Sequence, residues 1–248
     1  MLRSRSTSGP RVVGTLSLMK YRLVDLSHTV ENGMVTYRGL PAPVISDFLS
    51  RQASRERYAP GTEFHIGRID MVANTGTYVD SPFHRFADGA DLSELPLEAL
   101  ADLPAVVVRV SGAPGKDIGR SSLLPHEVAG KAVLVHTGWA AWWGTEQYFD
   151  DHPYLTGEAA DWLVENGAAL VGIDSYNIDS TASGERPAHT ALLANGIPIV
   201  EHLRGLEQLP EVGARFTAVP VKVRRFGTFP VRAYASVPAE AADVPLGQ

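Results

Sequence analysis

Strand-like segments outnumber helix-like segments in this chain, and the two kinds do not alternate regularly. Most of the predicted strands are β-branched runs that close at Gly, Pro or Asp. A regular strand–helix alternation would predict a doubly wound parallel sheet. Its absence favours an α/β fold with a mixed sheet and substantial antiparallel pairing. The predicted strands cover residues 22–26, 63–72, 105–110, 132–136, 168–173, 197–200, 216–223 and 231–237.

Two segments carry clear helix signals. Thr156 is a predicted N-cap, and Gly167 ends the apolar pattern that follows it. Residues 189–195, followed by Gly196, predict a second and shorter helix. Weaker helix patterns occupy residues 121–129 and 139–149. Helices are therefore the smaller part of the predicted fold.

One domain is expected. The chain has 248 residues, close to the roughly 250 residues that one hydrophobic core supports, and it contains no internal repeat and no long linker. Residues 1–19 are rich in Ser and Arg and contain no acid. We expect them to be a disordered extension, or the result of a start codon upstream of Met19, and we place the domain at residues 20–248.

Charge and composition limit the partners and the ligands. The formal net charge is −6, so no general attraction to nucleic acid is expected, and no run approaches the ~18 apolar residues that a membrane-spanning helix needs. The chain has no cysteine, which excludes disulfides, thiolate zinc sites and cysteine nucleophiles. We predict a soluble, cytoplasmic protein in which any metal is held by His, Asp and Glu, with Asn or Tyr as weaker ligands.

The densest group of chemically active side chains lies in residues 74–84, which read Asn-Thr-Gly-Thr-Tyr-Val-Asp-Ser-Pro-Phe-His. Gly76 permits a tight turn, and Pro82 stiffens the approach to His84. We therefore predict a rigid loop that presents polar groups. On the residues alone, a loop with one Asp and one His is more often structural than catalytic.

The same segment resembles the signature H-x-G-T-H-x-D-x-P-x-H of the cyclase family, which includes bacterial kynurenine formamidase (arylformamidase) and isatin hydrolase. Five of its seven fixed positions match, and Asn74 and Tyr78 stand where the family has histidines. The resemblance implies the single-domain, swivelling β/β/α fold of that family over residues 20–248. It continues, in the family's order, through residues 25–28, 36–37, 87–89, 95–97, 135–139, 172–175, 187–189, 199–201 and 230–233.

The resemblance also implies a metal site. Dinuclear members hold their ions with two motif histidines, the motif Asp, a distal His and a distal Glu, and the last motif His is the general acid/base. Carried over by position, Asp80, His189 and Glu201 keep a full ligand set for one ion. His84 remains for proton transfer, so we assign His84 and Asp80 the catalytic roles.

The second ion of the family loses both of its imidazole ligands here. An amide oxygen or a protonated phenol binds zinc far more weakly than neutral imidazole does, and a phenol with a pKa of about 10 ionises only with help from the metal. A dinuclear zinc site is therefore disfavoured, whereas one divalent ion (Zn, Mn or Mg) is left open. We expect four side chains to bind substrate: Tyr37, Asn74, Tyr78 and Phe83. For Phe83, packing in the core is an equal alternative.

Three functions stay open at this point. The leading hypothesis is a metal-dependent hydrolase of a small cyclic amide or formamide, in which His84 is the general acid/base. The alternative is a metal-independent cyclase, dehydratase or isomerase of a small carbonyl compound, which uses His84 and Asp80. The third is a small-molecule binder without chemistry. By resemblance, the chain is expected to form a homodimer or a larger homo-oligomer.

Overall fold

The computed structural model describes residues 21–239, so the predicted extension at residues 1–19 lies outside the described part. The helices are α1 (Arg51–Ser54), α2 (Gly157–Glu165) and α3 (Pro187–Ala194), with 3-10 turns between strands. The strands are β1 (Tyr21–Asp25), β2 (Val44–Leu49), β3 (Ile66–Asp70), β4 (Tyr78–Asp80), β5 (Leu103–Arg109), β6 (Asp117–Ile118), β7 (Ala132–His136), β8 (Tyr154–Leu155), β9 (Leu170–Ile173), β10 (Ile199–Glu201), β11 (Val212–Thr217), β12 (Thr228–Pro230) and β13 (Tyr234–Pro238).

Nine of these strands form one sheet, in the order β1-β13-β11-β5-β7-β9-β10-β4-β12. The central strands β5, β7, β9 and β10 run parallel to one another, and antiparallel strands extend the sheet on both sides. This confirms the predicted α/β fold with a mixed sheet. The strands β2 and β3 form a separate antiparallel hairpin.

Both faces of the central strands are buried, which explains why these strands read as continuous apolar runs rather than alternating ones. In β5, for example, Ala105 and Val107 join one core and Val106 and Val108 join the other. The second core lies under α2 and α3. The sheet face that carries these two helices is also the face on which the polar site described below is built.

The two predicted helices are present. The Thr156 hydroxyl accepts a hydrogen bond from the backbone of Ala159 at 3.2 Å and so caps α2, and Gly167, with φ of +70°, follows its end. The second helix, α3, begins two residues earlier than predicted, at Pro187, a residue suited to a first helical position. No helix in residues 21–239 has the length and apolar character needed to cross a bilayer.

Two weaker expectations were wrong. The predicted strand at 216–223 is instead β11 (Val212–Thr217), because Pro220 offers no backbone N–H to a sheet. The helix patterns at 121–129 and 139–149 give only 3-10 turns. In the second segment, Gly144, and Gly138 directly before it, have positive φ and interrupt the helical backbone.

Gly172 in β9 gives a stability test of the core packing around this strand. A Cβ at this position would lie 2.7 Å from Leu203 Cδ1 and 2.9 Å from Leu134 Cδ2. We predict that Gly172→Ala lowers the free energy of unfolding by about 1–3 kcal/mol, as overpacking of a core usually does, in urea denaturation. Gly119→Ala is the matched control, because a Cβ there meets nothing within 4 Å. Equal losses in both variants would contradict the prediction.

Candidate functional site

Strand register brings four polar side chains together on one face of the sheet. Tyr78 and Asp80 are two residues apart in β4, so their side chains share a face. Glu201 of β10 pairs directly with Tyr78, and Thr228 of β12 pairs directly with Asp80. Directly opposed residues also share a face. Sequence reasoning found three of these four residues and missed Thr228.

The prediction that residues 74–84 form a loop was wrong in part. Tyr78–Asp80 is a fully buried strand that pairs with β10 on one side and β12 on the other. A buried strand can carry an acid and a phenol because both groups find hydrogen-bond partners on the neighbouring strands. The second half of the motif is a 3-10 turn, Pro82–His84.

Asp80 is fully buried, and its two carboxylate oxygens have different surroundings. Oδ1 accepts a hydrogen bond from the Thr228 hydroxyl. Oδ2 has no hydrogen-bond partner within residues 21–239. A buried carboxylate oxygen without a partner is costly. The position next to Oδ2 is therefore one that favours a cation or a further donor.

His189 approaches that position from α3. Its Nδ1 lies 2.6 Å from the Asp179 carboxylate, which can only accept, so Nδ1 carries the proton and Nε2 faces the site. The distances from Nε2 are 3.8 Å to Asp80 Oδ2 and 3.9 Å to Glu201 Oε1. Both are too long for hydrogen bonds. The three atoms thus border a gap between two acids and an imidazole.

Asp179 holds His189 in this orientation. Besides the ring, its carboxylate accepts hydrogen bonds from the backbone N–H groups of Ala188 at 2.6 Å and His189 at 2.9 Å, so it caps the first turn of α3. A carboxylate behind a metal-binding imidazole commonly fixes the ring and its tautomer. One buried acid therefore fixes both the helix and the side chain that the helix delivers.

Glu201 is fixed by two donors. Tyr78 Oη donates to Oε2 at 2.6 Å, and the backbone N–H of Ile178 donates to Oε1 at 2.6 Å. Burial raises the pKa of Tyr78 well above its ordinary value, and the charges of Glu201 and Asp80 raise it further. Tyr78 is therefore a protonated hydrogen-bond donor, a form that is a poor metal ligand.

The buried charges of the site also set the pKa values of its titratable groups. Burial alone would lower the pKa of His189, but the carboxylates of Asp179, Asp80 and Glu201 raise it to about 10. Burial raises the pKa of Glu201 to about 7, with Asp80 adding to the rise and His189 opposing it. In the absence of a metal cation, His189 is therefore the positively charged imidazolium, with protons on both ring nitrogens.

His84 has a defined tautomer because of Thr228. The Thr228 hydroxyl lies 2.8 Å from His84 Nδ1 and also bonds to Asp80 Oδ1. A hydroxyl has one proton to donate, and the carboxylate can only accept, so the proton goes to Asp80. His84 Nδ1–H must then donate to the Thr228 oxygen. In the neutral ring, Nε2 of His84 is then the nitrogen without a proton, and the side chain is 34% exposed.

Gly227 makes this contact possible. A Cβ on Gly227 would lie 2.5 Å from the Cα and the N of His84, so only glycine lets the start of β12 run against the 3-10 turn. The backbone carbonyl of Gly227 also accepts a hydrogen bond from Ser81 N at 2.7 Å. The close approach places Thr228, the next residue, between the two catalytic candidates.

The site opens into a cavity of about 390 Å³. Three of the four predicted substrate contacts, Tyr37, Asn74 and Tyr78, line it, together with His84, His189 and Glu201. Phe83 is not among the lining residues, and its contact with substrate stays a prediction. Successive side chains in a 3-10 turn point about 120° apart, so a turn that aims His84 at the cavity directs Phe83 elsewhere.

The residues fit one divalent ion. Single ligand atoms of Asp80, His84 and His189 lie within 4.8 Å of one another. Two ligands about 2.1 Å from a zinc ion lie about 3.4 Å apart in tetrahedral geometry, close to the separations around His189 Nε2. The predicted ligand set has Glu201 where this group has His84. Asp80, His189 and Glu201 stay the predicted ligands, and His84 is the alternative to Glu201.

Comparison with known proteins identifies the family. The model of the family described as "Putative cyclase" matches residues 24–180. The kynurenine formamidase of Geobacillus thermodenitrificans is 31% identical over 181 residues, which are 73% of this chain and 84% of that protein. The kynurenine formamidase of Bacillus cereus is 27% identical over 211 residues, 85% of this chain and 95% of that protein. The chain belongs to the cyclase family.

Solved structures show the same fold. Isatin hydrolase A from Labrenzia aggregata, bound to benzyl benzoate, matches with a TM-score of 0.75 and 23% identity, over 88% of this chain and 94% of that chain. This confirms the predicted cyclase-like fold. Together with the formamidase relatives, it also confirms the prediction of an enzyme of the cyclase and arylformamidase-like family.

The role of Thr228 can be tested without an activity assay. Thr228→Val keeps the side-chain shape and removes the acceptor of His84 Nδ1–H, so we predict that the neutral His84 ring shifts to a mixture of tautomers in ¹⁵N NMR spectra. Thr228→Ser, which restores the hydroxyl, is expected to retain the Nδ1–H form. Comparison with His84→Gln assigns the signals. An unchanged tautomer in Thr228→Val would contradict the geometric assignment.

Proposed function

We propose that this chain is a metal-dependent hydrolase of a small cyclic amide or formamide. In this proposal Asp80, His189 and Glu201 hold one divalent ion, and His84 is the general acid/base. The observation that carries the proposal is the buried Oδ2 of Asp80, which has no hydrogen-bond partner among the described residues and lies 3.8 Å from His189 Nε2. That gap has the width of a shared cation and is too wide for a hydrogen bond.

The substrate class is supported by the relatives and by the size of the cavity. The two matched relatives are formamidases by name, and the cyclic alternative comes from the resemblance of the motif to its family. A cavity of about 390 Å³ is near the lower end of the range for small-molecule sites. The Tyr37 ring lines the cavity and stacks on Tyr176 with ring centroids 4.6 Å apart, which gives the cavity a flat aromatic surface suited to a planar amide.

The chain's own residues supply binding and proton transfer. A divalent ion, when bound, supplies an activated water and polarises the substrate carbonyl. In the neutral His84 ring, Nε2 accepts the proton of the attacking water and returns it to the leaving nitrogen as the C–N bond breaks. Thr228 keeps that nitrogen available, because it accepts from Nδ1–H while it donates to Asp80.

Glu201 is favoured over His84 as the third ligand on the basis of their hydrogen bonds. Glu201 is buried and already oriented by Tyr78 and Ile178, and each of its oxygens keeps a further lone pair. His84 is partly exposed, and its Nδ1 is occupied by Thr228. If His84 were a ligand, no other imidazole on the cavity wall would remain to carry the proton, since His189 is bound to Asp179.

A metal-independent cyclase, dehydratase or isomerase is the second candidate. The hydrogen-bond chain from Asp80 through Thr228 to His84 favours it, because this chain orients His84 as a base without a metal ion. Against it, the Tyr78 hydroxyl already donates to Glu201 and is not free to stabilise an oxyanion. The two candidates differ in their response to metal removal.

Metal content and activity of matched variants test the proposal. We predict about one divalent ion per chain in the wild type, by elemental analysis, and loss of that ion in Asp80→Ala and Glu201→Gln. His84→Gln is expected to keep the ion but to lower kcat on an active formamide or cyclic amide by roughly 100-fold or more, as loss of a general acid/base does. A chelator should abolish wild-type activity.

Three outcomes would overturn parts of this account. The metal-independent candidate would be favoured if the wild type contained no metal and stayed active in a chelator, while His84→Gln was inactive. Loss of the ion in His84→Gln with retention in Glu201→Gln would exchange the roles of the two residues. Unchanged activity in Asp80→Ala would remove the site from the mechanism altogether.

The hairpin of β2 and β3 supports the proposal of a homo-oligomer. All of its side chains except that of Leu49 are exposed, including Phe48 at 69% and Ile69 at 55%. A lone two-stranded hairpin is marginally stable in water, and an apolar surface of this kind marks an interface. We propose that the hairpin is covered by a second copy of the chain.

The oligomer can be tested by sedimentation. We predict a dimer or larger species for the wild type and a monomer for the double variant Phe48→Glu, Ile69→Glu, because two buried charges at the interface are costly. Leu124→Glu is the control, since Leu124 is exposed but lies outside the hairpin. A wild-type monomer, or a double variant that still assembles, would contradict the proposed interface.

A further inference from the structure

Three arginines, Arg38, Arg85 and Arg186, line the cavity of the proposed active site. Arg38 is neutralised, because its guanidinium pairs with Glu146 at 2.8 Å and Asp150 at 2.7 Å. Neither Arg85 nor Arg186 has a carboxylate within 4.0 Å in residues 21–239. Two uncompensated cations therefore stand on the cavity wall, and the proposed mechanism does not use them.

Arg186 is held in place by its own loop. Its Nη1 donates to the carbonyl oxygens of Ser180 at 3.1 Å, Ser183 at 2.8 Å and Glu185 at 2.7 Å. All three hydrogen bonds use Nη1. The other edge of the guanidinium, formed by Nε and Nη2, keeps three N–H donors clear of them. That edge has the fork geometry that binds a carboxylate with two parallel hydrogen bonds.

Arg186 also lies beside Tyr37 on the cavity wall. Burial raises the pKa of the Tyr37 hydroxyl, with Glu201 adding to the rise and the charge of Arg186 opposing it. The two side chains therefore act on each other across the same part of the cavity. A ligand group bound at the Arg186 fork would lie next to the Tyr37 ring, which stacks on Tyr176.

Arg85 adds a second, looser positive charge. It directly follows His84, and its guanidinium stands 5.4 Å from the Phe86 ring centroid. Its side chain is exposed, so its charge is screened more than that of the half-buried Arg186. Arg85 and Arg186 also both border a neighbouring cavity, so they form the partition between the two spaces.

The opposite end of the cavity has the opposite charge. Glu201 and His189 line that end, and the buried Asp80 lies 3.8 Å from His189 Nε2, so an anionic group there meets the charge of two acids. A ligand with a neutral amide at one end and an anion at the other would thus bind in one orientation only. Complementary charges at the two ends of a cleft are a common source of such orientation.

We propose that the substrate carries a carboxylate remote from its scissile amide, and that the Nε–Nη2 edge of Arg186 binds this carboxylate, with Arg85 as a second positive charge. This inference rests on the proposed function for the position of the amide. It adds the substrate class: an anionic amide. It also assigns to Arg186 a specificity role in which the clamped guanidinium orients the amide towards His84.

Binding of a matched pair of probes tests the proposal without a need for turnover. 3-Carbamoylbenzoate has an amide and a carboxylate, and isophthalamide has the same shape with a second amide in place of the carboxylate. In calorimetry on the metal-loaded protein, we predict about tenfold or tighter binding of the anion. Arg186→Gln should abolish this preference, and Arg186→Lys should restore only part of it, because Lys lacks the fork.

Arg120→Gln is the control, since it makes the same change of charge at an exposed residue that does not line the cavity. It is expected to keep the preference. Equal affinity of the wild type for the two probes would overturn the proposal. Arg186→Gln that weakens both probes equally would also overturn it, because Arg186 would then only hold its loop. Because neither result depends on hydrolysis, failure of the proposed activity is seen separately.

Discussion

The site depends on one buried carboxylate held between strands. Asp80 lies in the short strand β4, and the register with β12 and β10 fixes which residues surround it. One oxygen is satisfied by Thr228 and the other faces His189 without a hydrogen-bond partner in the described chain. Leaving a buried charge in this state costs free energy, and a positive charge between Asp80 and His189 would offset that cost. The strand pairing and the turn after β4 place Glu201 and His84 beside Asp80, and Asp179 places His189.

Much of the fold could be predicted from the sequence. The central strands are long apolar runs with clear ends, and the caps of α2 and α3 are local signals, so both could be found. The strands β4 and β12 are three residues long, and polar residues in them mask the strand pattern. Their formation depends on partners far away in the chain, which local propensity does not report.

The residues of the site also differ in how far the sequence could predict them. Asp80 and His84 were predicted from the motif, and His189 and Glu201 from the resemblance that continues along the chain. Thr228 was missed, because a lone Thr in a Gly–Thr–Phe context has no local signal for catalysis, and its role arises from the pairing of β12 with β4. Phe83 lies in a 3-10 turn that the loop prediction did not contain, and its role in substrate binding stays a prediction. Tyr78 donates a hydrogen bond to Glu201, so this phenol orients an acid of the proposed metal site.

The most direct test of the central claim is a crystal structure of the zinc-loaded protein, with diffraction data collected on both sides of the zinc absorption edge. The account predicts one anomalous peak per chain, about 2.0–2.2 Å from Asp80 Oδ2, His189 Nε2 and Glu201 Oε1, with His84 outside the coordination sphere. A map with no peak between Asp80 and His189, from crystals grown with excess zinc, would contradict it.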